Sequence, residues 1–250
     1  MLLLKKKHSL VHGAAVAVSG RGVLLAGWGG TGKTAAIINL LKDIPKAAFL
    51  SDDFSIISAD GSLLSFPKAF FTYPYHKNLY PHLFKAKHKP MVPLFLSGAL
   101  EHIRTHVRPA IMALPRLERL ARRITPEHMQ VPAETVLPDA VFVEKVPLHS
   151  ILFMERYSGA GTVLDELSLD DAKRRLVGNW NFEQGRCGLD LLLAVGSTAV
   201  VDLGAYYSDM CAVLDKGLSN RGIYRLRMGA MSLAEAGKTV VNTVRDLVFA

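Results

Sequence analysis

A glycine-rich stretch near the start of the chain has the residue types and spacing of a phosphate-binding loop. The stretch is GWGGTGKT, from Gly27 to Thr34. Glycines at its first and sixth positions let successive backbone N–H groups converge on a phosphate, the lysine adds a positive charge, and the final hydroxyl can reach Mg²⁺. The stretch therefore predicts a nucleotide-binding loop made of Gly27, Trp28, Gly29, Gly30, Thr31, Gly32, Lys33 and Thr34.

Two adjacent carboxylates, Asp52 and Asp53, form the second group that could carry chemistry. They follow the apolar run AAFL, which is typical of a buried strand. In nucleotide-binding α/β proteins, an acidic residue at such a strand end reaches the magnesium ion, and a second carboxylate can act as a general base. The two aspartates could divide these roles, although a simple polar turn is the alternative interpretation.

The elements that must position these residues can be predicted from apolar spacing. Runs at residues 10–18 and 22–26 flank SGRG, whose glycines suit a hairpin turn before the loop. The sequence KTAAIINLLKDI has helical spacing and ends at Pro45. A strand is expected before the acidic pair, followed by a hairpin that turns at Asp60 and Gly61.

The rest of the chain predicts a mixture of helices and strands. Helices are expected at residues 115–124, from near Ser168, and after Ser232, where Glu235 completes a capping box. Strands are expected at 141–146, 150–157 and 197–204. A second Gly-Lys-Thr, at 237–239, lies within the last predicted helix and lacks the first glycine of the loop pattern. We therefore expect no phosphate to bind there.

The segment from His12 to Lys33 resembles the catalytic domain of HPr kinase/phosphorylase, which phosphorylates a serine of a sugar-transport carrier protein. The residues that keep that family's spacing are His12, Gly13, Val16, Val18, Gly20, Gly22, Val23, Leu24, Gly27, Gly30, Gly32 and Lys33. The acidic pair also resembles the family's DD motif. The resemblance implies an α/β fold of the HPr-kinase and phosphoenolpyruvate-carboxykinase-like P-loop type, with a mixed sheet and a β-hairpin preceding the Walker A loop.

The resemblance also implies roles for single residues, with ATP and Mg²⁺ as cofactors. His12 would lie in the active site and Lys33 would contact the β and γ phosphates. Thr34 and Asp52 would bind the metal, and Asp53 would accept a hydroxyl proton. A hydrogen-bonded structural role is the alternative for His12, since a half-buried strand histidine often has one.

The function that follows from the resemblance is an ATP- and Mg²⁺-dependent kinase. Its acceptor would be a hydroxyl, of the serine type, on a peptide, a protein or a small molecule. Two alternatives stay open. One is a nucleotide-dependent regulatory or binding module with little turnover, and the other is a carboxykinase-like enzyme.

The positive charge of the chain is concentrated in its middle. The formal net charge is +8, and the segment from His76 to Gln130 holds ten Lys and Arg against three Asp and Glu. We predict one catalytic domain over residues 1–250, with this basic, proline-rich segment as an insertion at about 67–138. It could bind an acidic protein or small molecule, or be a solvated surface. Nucleic acid is an unlikely partner because no known nucleic-acid signature accompanies the charges.

Composition excludes several classes of protein. Half of the residues are apolar, which suits a globular core, and no apolar run reaches the roughly 20 residues that a membrane span needs. The two cysteines, Cys187 and Cys211, are too few for a disulfide scaffold, so a reducing, cytoplasmic location is expected.

A homo-oligomer is possible by analogy with the family. Further candidate cations for a transferring phosphate are Arg221, Arg225 and Arg227.

Overall fold

The computed structural model describes residues 2–66, 68–72, 83, 129–183, 185–198 and 202–249. Its strands are β1 (His8–Val18), β2 (Arg21–Ala26), β3 (Ala47–Ser51), β4 (Phe54–Ser58), β5 (Ser62–Leu64), β6 (Phe70–Thr72), β7 (Met129–Val131), β8 (Val141–Phe142), β9 (Lys145–Arg156), β10 (Thr162–Glu166) and β11 (Gly222–Met228). Its helices are α1 (Leu2–Lys5), α2 (Lys33–Asp43), α3 (Ala133–Val136), α4 (Leu169–Glu183), α5 (Gly185–Ser197), α6 (Leu203–Leu218) and α7 (Leu233–Phe249).

The chain divides into two compact units, Met1–Lys68 with Asp139–Ala250, and Ala69–Pro138. The described part of the second unit contains α3 and an antiparallel pair of short strands, β6 and β7. The helix predicted at 115–124 and most of the basic segment lie outside the described residues. The first unit is a mixed α/β fold that contains all of the predicted site residues.

Nine strands of the described residues join in one mixed sheet within the first unit. Strand β1 lies between β2 and β3 and is antiparallel to both, so β2 and β3 run in the same direction. Strand β9 runs parallel to β2, and β11 runs parallel to β9. Strands β2, β3, β9 and β11 therefore run in the same direction, and their carboxyl ends lie along one edge of the sheet. This edge is where ligands bind in open α/β sheets.

Helices cover the sheet because its strands alternate apolar side chains between two faces. Leu24 of β2 and Ile151 of β9 belong to a buried cluster with Leu176 of α4 and Leu214 of α6. Helix α2 contacts β1 and β3 and packs against α7. The second Gly-Lys-Thr lies within α7, as predicted, and a side chain at its Gly237 would clash with Asn39 of α2.

The structure confirms most of the local predictions in the first unit. The β1–β2 and β4–β5 hairpins, helix α2 and strand β3 form where expected. Helix α4 begins after Ser168, whose hydroxyl oxygen accepts a hydrogen bond of 3.1 Å from the backbone N–H of Asp171. The predicted capping box is also present, because the backbone N–H of Ser232 donates to the Glu235 carboxylate at 2.8 Å.

The bounds of three strand predictions are wrong. Strands form at Val141–Phe142 and Lys145–Arg156, so the break between them lies at 143–144. The expected break between strands at 141–146 and 150–157 is absent, since β9 continues through Pro147 while its partner changes from β5 to β2. The strand expected at 197–204 is replaced at both ends by helix. Ser197 ends α5, and Asp202 caps α6 by accepting a hydrogen bond from the N–H of Ala205. Residues 199–201 lie outside the described residues.

Within the described residues, no helix is both long and apolar enough to cross a membrane.

Candidate functional site

The glycine-rich loop connects the carboxyl end of β2 to the first residue of α2, at the sheet edge where β3 also ends. Three of its glycines are required by geometry. Gly30 and Gly32 have φ angles of 79° and 97°, which side chains rarely adopt. A Cβ atom at Gly27 would lie 2.6 Å from the carbonyl oxygen of Met154, so the loop can lie against β9 only with glycine there.

The side chain of Lys33 is buried within this loop, with only 7% of its surface exposed. Its Nζ donates hydrogen bonds to the carbonyl oxygens of Gly27 at 2.7 Å and Trp28 at 3.0 Å. Burial lowers the pKa of Lys33, and the nearby carboxylates, Asp52 first among them, oppose this shift. The loop thus holds one positive charge at the start of a helix, which is a favourable place for an anion.

Thr34 and Asp52 are brought together at the ends of α2 and β3. The hydroxyl of Thr34 lies 3.1 Å from each of the two carboxylate oxygens of Asp52. Burial and the neighbouring Asp53 raise the pKa of Asp52 to about 6, although the Thr34 hydroxyl and Lys33 act in the other direction.

These two residues fit a magnesium ion that is bound together with a phosphate. Hydroxyl and carboxylate oxygens are the donors that Mg²⁺ prefers, and it usually takes one or two carboxylates plus substrate phosphates. Across the described residues there is no group of three or more His, Cys, Asp and Glu that could hold a metal ion alone. The donor set therefore suits a metal–nucleotide complex better than a free metal ion.

Asp53 occupies a strained turn that separates it from Asp52. Its φ angle is 73°, and the N–H of Phe54 donates to the carbonyl oxygen of Asp52 at 2.9 Å, which is the hydrogen bond of a γ-turn. The positive-φ form of this turn is rare and strained, and such strain often occurs at functional sites. The N–H of Gly13 fixes the turn from β1 by donating to the carbonyl oxygen of Asp53 at 3.0 Å.

His12 is almost fully buried on β1, with 2% of its surface exposed, and lies between two carboxylates. Its Nε2 is 3.6 Å from Oδ1 of Asp53, and its Nδ1 is 2.9 Å from Oε1 of Glu183. Although these two atoms are close, Nδ1 of His12 has no hydrogen-bond partner among the described residues. Burial and the positive Lys33 lower the pKa of His12 to about 4, which keeps the imidazole neutral at neutral pH.

The site contains residues that sequence reasoning missed. Lys68 donates to Oδ2 of Asp53, and its Nζ lies 4.3 Å from the centroid of the Phe54 ring. Glu183 is the last residue of α4, and burial raises the pKa of its carboxyl. The preceding Phe182 stacks on Trp28 with ring centroids 4.6 Å apart, and both rings are more than half exposed. No motif marks any of the three, and an acidic residue at a helix end is only a weak signal.

The three candidate arginines are not part of this cluster. Arg225 and Arg227 lie on one face of β11, as their alternation predicts, and their guanidinium groups bind Asp165 at 3.0 and 3.1 Å. Arg221 precedes β11 and lies beside Gly61, at the sheet edge opposite to the loop. Among the described residues, the cations next to the predicted site residues are Lys33 and Lys68.

Comparisons with known proteins give a distant structural similarity and no match among family models or curated proteins. No family model matches it, and no curated protein matches it. Among solved structures it is similar to the Hpr(Ser) kinase/phosphatase from Coxiella burnetii, with a TM-score of 0.34 and 8% sequence identity over 96% of this chain and 91% of that chain. The relation is distant in both backbone and sequence.

Proposed function

We propose that this protein is an ATP- and Mg²⁺-dependent kinase that transfers the γ-phosphoryl group to a hydroxyl of a peptide, a protein or a small molecule. The observation that carries the proposal is the pairing of Thr34 with both oxygens of Asp52 beside the loop that holds Lys33. Phosphate-binding loops of kinases and NTPases use this combination of lysine, hydroxyl and carboxylate.

In the proposed reaction the loop and the metal ligands bind the triphosphate. The backbone N–H groups of the loop, the first turn of α2 and the Lys33 ammonium would hold the phosphates. Thr34 and Asp52 would hold the magnesium ion, which supplies positive charge to the phosphate oxygens during transfer. Phosphoryl transfer needs little covalent chemistry from a protein, so positioning and electrostatics would provide most of the catalysis.

Asp53 is the proposed acceptor of the hydroxyl proton. The γ-turn directs its side chain away from Asp52 and towards His12 and Lys68, so the two aspartates contact different partners. A carboxylate fixed in this way can orient an incoming hydroxyl and take its proton as the new bond forms. The neutral, buried imidazole of His12 lies next to this carboxylate, whose side chain is 42% exposed and so accessible to an acceptor hydroxyl.

A second candidate function is a nucleotide-dependent regulatory module with little turnover. One observation favours it: the Asp53 carboxylate is already bound by the ammonium group of Lys68. An ion-paired carboxylate has to release its partner before it can orient an incoming hydroxyl. In such a module, nucleotide would change the affinity for a partner, and Asp53→Asn would leave this change intact.

The test begins with calorimetric titration of the pure protein with ATP and ADP, with and without Mg²⁺. If neither nucleotide binds, both candidate functions are refuted. If ATP binds, extracts are incubated with ATP and either the wild type or Asp53→Asn, and phosphorylated products are sought by mass spectrometry. A product gained only with the wild type supports the kinase, whereas binding with no wild-type-dependent product supports the regulatory module.

A further inference from the structure

Lys68 is the cation that binds the proposed base of the reaction. Its Nζ donates to Oδ2 of Asp53 and lies 4.3 Å from the centroid of the Phe54 ring. The side chain of Asp53 is 42% exposed and that of Lys68 is 21% exposed, so a ligand from solvent can reach both partners. An anion bound in the site can therefore compete with Asp53 for this ammonium group.

Lys68 and Lys33 act on the same groups, although they come from different parts of the chain. Burial raises the pKa of Glu183, and the positive charges of Lys33 and Lys68 both oppose this shift. Burial and Lys33 lower the pKa of His12, and Lys68 adds to this effect. The two ammonium groups therefore belong to one site, with Lys33 in the glycine-rich loop and Lys68 against Asp53.

The carboxylates of the site would repel a γ-phosphate. Asp52, Glu183 and Asp53 all act on the charge of Lys33, so three acidic side chains surround the place where the phosphate would bind. A kinase must bring the γ-phosphate and the general base to the same acceptor oxygen, which places two anions close together. Their repulsion increases as the distance falls, and it is stronger in a partly buried site than in water. A positive charge beside Asp53 is needed to offset it.

We propose that Lys68 is a catalytic residue whose ammonium group moves from Asp53 to the γ-phosphate when ATP binds. A lysine side chain is flexible and its donors rotate, so it can change partners without a change of the backbone. Asp53 is then released to orient the acceptor hydroxyl, while Lys68 stabilises negative charge on the transferring group. Lys68 thus takes the role first considered for Arg221, Arg225 and Arg227.

The inference deepens the proposed kinase function and rests on it. The acceptor oxygen forms a bond to the γ-phosphorus while the bond from that phosphorus to the β–γ bridging oxygen breaks, and its electron pair leaves with ADP. The hydroxyl proton passes to the released carboxylate of Asp53. Because ADP has no γ-phosphate, Lys68 stays on Asp53 when ADP is bound. A contribution of Lys68 to the binding of ATP and not of ADP is therefore its signature.

Calorimetric titration of the full chain tests this signature with two ligands, Mg²⁺-ADP and the Mg²⁺ complex of the non-hydrolysable ATP analogue AMP-PNP. Lys68→Met should weaken AMP-PNP binding by about tenfold or more and change ADP binding by less than about twofold, because a charged hydrogen bond is lost only where a γ-phosphate is present. Lys68→Gln should give the same result, so the test does not depend on the folding of one variant. Lys33→Met should weaken the binding of both ligands.

Lys145→Met is the matched control, because Lys145 also binds an aspartate, Asp60 at 3.0 Å, but lies at the first residue of β9, away from the loop. It should change neither affinity. The inference alone is overturned if the wild type binds both ligands and the Lys68 variants keep the wild-type ratio of affinities, or weaken both equally as the loss of a structural ion pair would. If the wild type binds neither ligand, the proposed function is refuted and the inference with it.

Turnover distinguishes a catalytic Lys68 from an inhibitory one. With water as the acceptor, Lys68→Met should lower kcat for ATP hydrolysis by about 100-fold, which is the usual effect of removing one donor to a developing negative charge. An ion pair that only blocks Asp53 predicts the opposite, since its removal would free the base and raise kcat. A kcat that rises or stays unchanged in Lys68→Met would overturn the proposal, and Lys145→Met should keep the wild-type kcat.

Discussion

Replacing Lys33 with methionine should separate nucleotide binding from the stability of the fold. The ammonium group of Lys33 is buried, and this burial lowers its pKa, so the charged form is disfavoured in the folded protein without nucleotide. Methionine has a similar length and no charge. The variant loses the hydrogen bonds to the carbonyl oxygens of Gly27 and Trp28 but no longer buries an ammonium group. Because these two effects oppose each other, we expect the nucleotide-free Lys33→Met variant to unfold within a few degrees of the wild type.

The effect on ATP binding should be large. A hydrogen bond from a charged donor contributes about 1.5–3 kcal/mol, and its loss weakens binding by about 10- to 150-fold. At an ATP concentration of about 100 times Kd the wild type gains about 2.7 kcal/mol, which raises the Tm of a domain of this size by about 5–10 °C. After a hundredfold loss of affinity the gain is about 0.4 kcal/mol, and the Tm rises by only about 1 °C.

Differential scanning calorimetry with and without Mg²⁺-ATP measures both the Tm of the nucleotide-free protein and the rise in Tm that ATP causes. The matched control is Lys238→Met, because Lys238 is the exposed lysine of the second Gly-Lys-Thr, within α7. This variant should keep the full ATP-dependent rise in Tm. The reasoning is refuted if Lys33→Met also keeps that rise, or if the nucleotide-free variant unfolds many degrees below the wild type.

Three further predictions follow from the site. Asp52→Asn should remove the Mg²⁺-dependent part of the ATP affinity, a loss of about tenfold or more. The affinity for ATP without Mg²⁺ should be unchanged. Asp52 is excluded as a metal ligand if calorimetric titration of the variant finds the Mg²⁺ effect intact. Because burial lowers the pKa of His12 from 6.5 to about 4, the unfolded chain binds a proton first on acidification. Stability should therefore fall from pH 6.5 to about 4, and His12→Gln should remove at most about 3 kcal/mol of this fall, as measured by urea unfolding at both pH values; an unchanged slope contradicts the assignment. Gly27→Ala should destabilise the fold by about 1–3 kcal/mol, since its Cβ would lie 2.6 Å from the Met154 carbonyl oxygen. The Cβ of Gly29→Ala would meet no atom within 4 Å, so this variant should be nearly neutral. Equal losses of stability in thermal unfolding would show that the contact with β9 does not constrain the loop.

Local pattern was sufficient to predict most elements around the glycine-rich loop. The hairpin before it, helix α2 after it and the strand that ends at the acidic pair all form where apolar period and turn residues indicate. These signals are local, because helix and strand periods and capping contacts involve residues a few positions apart. One prediction failed at Asp202, which caps α6 instead of lying within a strand.

The composition of the site was only partly accessible from the sequence. Lys33 and Thr34 follow from the glycine-loop motif at the start of α2, and Asp52 follows from its position directly after the next strand, β3. The roles of these residues and of His12 and Asp53 stay predictions until nucleotide binding is measured.

The sequence by itself determined that a glycine loop joins a strand to a helix and that an acidic pair follows the next strand, because both depend on neighbouring residues. Only the tertiary structure decided that Glu183 and Lys68 flank His12 and Asp53, and that Arg225 and Arg227 bind Asp165 instead of joining the site. The physical reason is that these contacts form when α4 packs on the sheet and when β11 pairs with β10. Long-range packing of this kind leaves no periodic trace in the chain.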